Sequence, residues 1–204
     1  MTKKELYDIL KERFQEVLKE HQIENDHLSV SCRSLTPEEA IGKTKRTDYP
    51  ILTGKDVMIQ AEYKGFRGQA FTDAPSAFEG MLEDILQMDI EHDPHDRGIF
   101  IATVNAVMAS LGLCCGTVHC RTEGPELCAQ DMLNYLESNY PDVKRIALVG
   151  FQPSLLEMLS KSKYDVRVMD LNPNNIGQLK FGIRVEDGTA MKEEIRDSYA
   201  ELIL

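Results

Sequence analysis

The chain contains no tryptophan, and phenylalanine and tyrosine together supply only 7% of it. About two-fifths of the residues are nonetheless apolar, so a core of real size can be buried. Basic residues are also in short supply: 23 Lys and Arg stand against 34 Asp and Glu, a formal net charge of −11. Such a balance repels phosphate backbones and anionic headgroups, which excludes general nucleic-acid binding and docking on acidic membranes. No apolar run is long enough to span a bilayer. The longest, Ile99 to Leu113, is interrupted by Asn105 and Ser110. The opening stretch, Met1-Thr-Lys-Lys-Glu-Leu-Tyr, lacks the basic-then-apolar order of a secretory leader. Cysteine is scarce and odd in number, five in all. An odd count without a leader reads as reduced thiols, so a cytoplasmic protein is expected.

What is present is a set of well-marked elements in 204 residues, enough for one large or two small domains. Leu6, Ile9, Leu10, Phe14, Val17 and Leu18 recur at helical spacing and predict a first helix from Lys3 to His21. Alternation predicts strands at His27–Leu35, Val57–Tyr63 and Gln69–Thr72, the last entered through a turn at Gly65–Gly68. Thr36-Pro37 opens a short helix or turn that ends before Gly42, and the basic stretch to Asp48 is broken by Tyr49-Pro50. Helices are predicted at Ser76–Gln87, from Pro94 or Asp96 to Ser110, and from Gly124 or Pro125 to Asn139. The second of these is apolar around much of its circumference and should be buried, Asn105 included.

Beyond Pro141 the pattern changes to short apolar strands alternating with helices: Arg145–Val149, Pro153–Ser160, Asp165–Asp170, Ile183–Asp187, Lys192–Ser198 and Ala200–Leu204. That alternation implies a parallel sheet with right-handed crossovers. The expected organisation is an α+β domain over 1–141 and a short α/β Rossmann-like domain over 142–204. The chain stops inside what reads as a buried core strand, so the expectation is either a small sheet or a truncated form of a longer doubly wound fold.

The densest chemistry lies in Cys114-Cys-Gly-Thr-Val-His-Cys120 and Cys128, which put four thiols and one imidazole within fifteen residues. Thiolates and imidazole suit zinc, copper(I), iron or iron–sulfur centres, although the spacing is no standard zinc finger. The metal candidates are Cys114, Cys115, His119, Cys120 and Cys128. The plain alternative is that Cys114 and Cys115 are buried at the end of a core helix. A second constellation is Leu148-Val-Gly-Phe-Gln-Pro-Ser154, a strand, turn and helix start with backbone N–H groups facing the usual ligand crevice. Asp170 follows Gly150 by twenty residues, where dinucleotide folds place a ribose-binding acid; alternatively it caps the Asn-Pro-Asn-Asn turn. The acidic run from Asp84 to Asp96, with His92 and His95, reads as a solvated loop before a cation site. Arg97 and Asn105 fall on one side of their helix, Asn105 either tying two segments together or facing a cleft. The stretch from Gly65 to Asp73 reads as a plain hairpin before a cleft contact.

The order of Gly68-Gln-Ala-Phe-Thr72, Arg97-Gly-Ile-Phe-Ile-Ala-Thr-Val-Asn-Ala106 and Ile146-Ala-Leu-Val-Gly-Phe151 resembles the DUF364 family, labelled as heavy-metal chelation, with its companion DUF4213-type domain. The segment Thr117–Ala129 resembles a Cys-rich version found in part of that family. The resemblance implies an enolase N-terminal-like domain, a Rossmann-like domain and a cleft between them, with Asn105, Gly150 and Asp170 as ligand-contacting positions. Family members continue beyond the strand matched by Ala200–Leu204 into a Gly/Thr/Asn-rich loop. Three functions follow as expectations: a transition-metal-binding protein; an enzyme or binding protein for a nucleotide-like or small anionic ligand; and an assembly protein that forms a homo-oligomer through an open sheet edge.

Overall fold

The structure, a computed structural model, describes residues 3–26, 30–53, 57–116 and 120–204. Contacts divide the chain into two compact units, Met1–Lys43 with Pro50–His119, and Thr44–Tyr49 with Cys120–Leu204. Together they make a mixed α/β protein: an antiparallel sheet with helices in the first unit, and a mostly parallel five-stranded sheet in the second. Among the described residues, no helix is long and apolar enough to cross a membrane.

In the first unit, α1 (Lys3–Glu20) precedes β1 (Val30–Ser34), α2 (Pro37–Ile41), α3 (Pro50–Thr53), β2 (Val57–Tyr63), β3 (Phe66–Thr72), β4 (Phe78–Gly80), α4 (Leu82–Gln87) and α5 (Pro94–Ser110). The sheet order is β3-β2-β1-β4, antiparallel throughout. Ile59, Ala61 and Tyr63 of β2 face α5, whose Ile99, Phe100, Ala102, Ala106 and Val107 close the core together with Phe14 and Leu18 of α1. Phe14 meets Phe100 edge-on, with ring centroids 5.7 Å apart. Only part of the predicted α1 stripe is buried: Leu6 and Ile9 remain exposed. The short α2 carries a complete capping box, Thr36 accepting from the Glu39 amide while Glu39 accepts from the Thr36 amide.

The predicted helix over Ser76–Gln87 is a strand followed by a shorter helix. Helical spacing of Phe78 with Met81 and Leu82 is overridden by pairing, because Phe78 sits opposite Cys32 in the ladder with β1. The helix begins only at Leu82, where Asp84 accepts from the Met81 amide at 2.9 Å. The hairpin turn is also tighter than expected: β3 starts at Phe66, and Lys64 and Gly65 make the turn with φ of 51° and 79°. Gly68 lies within the strand, not in the turn. A Cβ on it would fall 2.1 Å from the Ala106 nitrogen and 2.2 Å from the Ala102 oxygen. Glycine is what lets the α5 backbone lie directly on β3.

In the second unit, α6 (Gly124–Asn139) is followed by β5 (Arg145–Val149), α7 (Pro153–Ser160), β6 (Asp165–Asp170), β7 (Leu179–Lys180), β8 (Ile183–Asp187), α8 (Gly188–Glu194), a π-helical turn (Ile195–Tyr199) and β9 (Leu202–Ile203). The strand order is β7-β8-β6-β5-β9, with β7 alone antiparallel. Ile146, Leu148, Val166, Val168 and Val185 pack against Leu136 of α6 and Leu156 and Leu159 of α7. The last strand, expected in the core, is a two-residue edge strand whose Ile203 is exposed. The succession turns outward through β6 and β8, then returns to the other side of β5 for β9. The carboxyl end of β5 is therefore a topological switch point.

Candidate functional site

Cys114 and Cys115 follow α5 in the first unit, between Gly112 and Gly116, whose φ values are 67° and 70°. Leu111 and Gly112 end the helix, the Leu113 amide reaching back to the Met108 carbonyl at 3.0 Å. Both thiols are exposed. The alternative that they are buried apolar residues closing a core helix is thus overturned, because the chain leaves the helix into solvent at Leu113, itself exposed. His119 lies outside the described residues.

Cys120 and Cys128 belong to the second unit and come together. Cys120 precedes α6 and is partly buried; Cys128 is on the second turn of that helix and exposed. Burial and the adjoining Cys128 thiol, which hydrogen-bonds it, push the Cys120 thiol up from its ordinary value. Cys120 packs against Gly124 at the start of α6, where a Cβ would lie in ordinary contact, 3.4 Å from Cys120 Cβ and 3.9 Å from its sulfur. The connecting turn is strained. Thr122 has φ of 56°, costly for a β-branched residue, and is held by the Gly124 amide donating to the Arg121 carbonyl at 2.8 Å. Among the described residues no group of three His, Cys, Asp or Glu side chains is arranged to hold a metal ion. What the sequence grouped as one thiol-rich segment is divided between the two units, and two sulfurs form a pair.

At the switch point, Gly150 has φ of 90° and donates to the Met169 carbonyl at 2.7 Å. Asp170 is occupied by its own surroundings. Its Oδ1 accepts from the Leu171 and Asn172 amides at 2.6 and 2.9 Å, and its Oδ2 from the Phe151 amide at 3.2 Å and Asn175 Nδ2 at 2.8 Å. It clamps the Asn-Pro-Asn-Asn turn to the loop after β5. Asn105 is exposed, not buried; its amide donates to the Gln69 carbonyl at 2.8 Å and ties α5 to β3. Arg97 holds the carbonyls of Ile90 and Glu91, each at 2.8 Å. In the acidic run, Asp89, Asp93 and Asp96 accept from nearby backbone amides at 2.8 to 3.1 Å, as a capped loop does.

The sequence reading missed the role of Thr44–Tyr49. This strap leaves the first unit after Lys43, packs in the second, and returns at Pro50. Lys45 pairs with Glu123 at the start of α6. Arg46 is gripped by both Asp48 oxygens, at 2.8 and 2.7 Å, pairs with Glu157 of α7, and lies over the Phe181 ring. The Tyr49 hydroxyl donates to Glu126 at 2.8 Å and meets Ser154 Oγ at 2.9 Å. With its proton on Glu126, the phenol accepts from the serine. Burial, and the Glu126 carboxylate, push the Tyr49 phenol up to about 12. The second Glu126 oxygen is buried with no hydrogen-bond partner among the described residues. The sequence signal was the basic Lys43-Thr-Lys-Arg46 run in an acidic chain, seen there as a polar, basic stretch but given no role.

In comparison with known proteins, no family model, curated protein or solved structure matches this chain.

Proposed function

We propose that this is a soft-metal-binding protein whose site is the Cys120–Cys128 pair, as a member of the DUF364 family would be. The observation that supports it is the meeting of two free thiols across the start of α6, in contact through a turn that the strained Thr122 shapes. Two thiolates favour copper(I), zinc or another soft ion over calcium or magnesium. Metal enters as the thiols lose their protons to solvent, so uptake rises with pH. The raised Cys120 thiol makes that rise begin later than for a free cysteine. Cys114 and Cys115, in the first unit, are outside this pair, and His119 is open as a further ligand.

Elemental analysis of anaerobically purified protein tests the reading. Near-stoichiometric zinc, copper, nickel or iron is expected, lost in Cys120→Ser and Cys128→Ser and retained in Cys114→Ser. Metal-free protein that takes up none of these ions on titration overturns it.

A second reading, a small anionic or nucleotide-like ligand at the carboxyl end of β5, is favoured by Gly150 opening onto free space beside an α7 start that lacks a side-chain cap. Asp170, with both oxygens already engaged, serves there to hold the loop. Stabilisation in a thermal-shift screen of nucleotides and simple phosphates supports this reading; a flat response across the set removes it.

A further inference from the structure

Side chains on a helix lean back toward its N-terminus, so each covers the turn before its own Cα. Cys128 stands one turn beyond Gly124 on α6, on the same face. Gly124 leaves that face bare, and Cys120 packs on it from the segment before the helix, its sulfur 3.9 Å from the place of a Cβ. A Cys128 thiol leaning back over Gly124 arrives at Cys120, and the two are in hydrogen-bond contact. Both thiols are free, and their exposure is unequal: Cys128 is open to solvent and Cys120 is partly buried. A cysteine kept for packing alone is buried on all sides. Here a solvent-facing thiol has a sheltered one against it, the arrangement that reversible oxidation uses. The chain between them is already turned back on itself, with Thr122 at φ of 56° and the Gly124 amide on the Arg121 carbonyl at 2.8 Å.

We propose that Cys128 and Cys120 form a reversible dithiol–disulfide site for small peroxides, with Cys128 as the accessible nucleophile and Cys120 as the resolving thiol. Cys128 attacks one oxygen of hydrogen peroxide, the O–O bond breaks, the other oxygen leaves as water, and Cys128 becomes a sulfenic acid. Cys120 then attacks the Cys128 sulfur, the S–O bond breaks, and a second water leaves carrying the Cys120 proton. Over both steps the two thiols lose two hydrogens and two electrons, and the peroxide is reduced to two waters. An external dithiol reverses the bond by exchange. The proposal stands without a metal at the pair. Thiolates are what a soft metal binds, so oxidation and metal uptake exclude each other on these sulfurs.

The test uses the full chain, reduced and then desalted into chelator. It carries Cys114→Ser and Cys115→Ser, both at exposed positions outside the pair. Trypsin, cutting after Arg121, then leaves Cys120 and Cys128 on separate peptides with one thiol each. A slight excess of hydrogen peroxide, with dimedone present to trap sulfenic acid, should give an intramolecular Cys120–Cys128 link that dithiothreitol reverses. Adding Cys120→Ser should replace the link by a dimedone adduct on Cys128. Adding Cys128→Ser instead should slow peroxide consumption about tenfold relative to that variant, because the remaining thiol is sheltered. Both thiols still free after peroxide, or links between chains in place of the internal one, overturns the proposal. An adduct on Cys120 formed as fast in Cys128→Ser overturns the assignment of roles. Metal content, measured on untreated protein, is a separate readout. A chain that binds metal and forms no link keeps the metal site and loses this proposal; one that links and takes up no metal does the reverse.

Discussion

Gly68 shows how much a single position decides in this molecule. At this position β3 and the α5 backbone lie too close for any Cβ. Gly68→Ala is expected to destabilise the first unit by about 3 kcal/mol, because the intruding methyl meets backbone atoms that cannot swing aside; urea unfolding with hydrogen exchange on α5 reads it. Asp170 is the counterpart in the second unit. Asp170→Ala removes the acceptor for four donors and should cost about 2–3 kcal/mol in urea unfolding. If the substitution instead left stability unchanged, the clamp role would be wrong. Tyrosine titration offers a pH test. Tyr49 and Tyr199 are both pushed up to about 12, chiefly by burial. A phenol whose folded value is raised adds stability in full below its unfolded value near 10, and that contribution is lost as pH rises through about 12. Ultraviolet titration should show these two among the last of the seven tyrosines to ionise. Tyr49→Phe should remove one late-titrating phenol.

At the scale of elements, the sequence was most legible where periodicity and punctuation agree. Pro94, Ser110 and Gly112 bound α5, and Gly124, Pro125 and Asn139 bound α6, because proline fits a first helical turn and glycine a left-handed exit. Strands β5, β6 and β8 were readable as apolar runs for the same reason that they are buried between helices. Legibility failed where pairing partners are distant. Nothing near Phe78 announces that Cys32 will draw it into a ladder, and nothing in Leu179-Lys180 alone signals the antiparallel β7. The site followed the same rule. The cysteines were visible as residues, but the sequence treats Cys114, Cys115, Cys120 and Cys128 as one cluster, whereas only the last two share a helix start. Asp170 was placed correctly at the end of its strand, and its four donors give it the cap role that the sequence offered as one of two.

For the whole molecule, the notable property is a second unit assembled from two stretches of chain. Its hold on the strap depends on groups with opposite titration ranges. Asp48 and Glu157 are lowered, Asp48 chiefly by Arg46 and Glu157 by Lys161 and Arg46. Carboxylates lowered in the folded state add stability that is present above their unfolded values near 4 and lost as pH falls through the folded ones. Hydrogen exchange at 44–49 should therefore stay slow through neutral pH and accelerate below about 4 relative to its intrinsic rate. Tyr49→Phe should loosen the same segment at every pH, leaving Glu126 and Ser154 without the phenol; faster exchange is expected in α6 and α7, while the β2 and α5 amides keep theirs. Uniform acceleration over both units would show that the strap is not confined to the second.

The strap also imposes an order on synthesis. Arg46 precedes Glu157 by 111 residues. At translation speeds of roughly 5–20 residues per second, the nascent strap waits about 5–25 seconds for its seat to emerge from the ribosome. For that interval its arginine and tyrosine have no α7 to meet, while β2, β3 and α5, all encoded earlier than α6, are already free to assemble. A codon-level pause placed before residue 120 should thus leave the antiparallel sheet time to form, and lengthen only the vigil of these six residues.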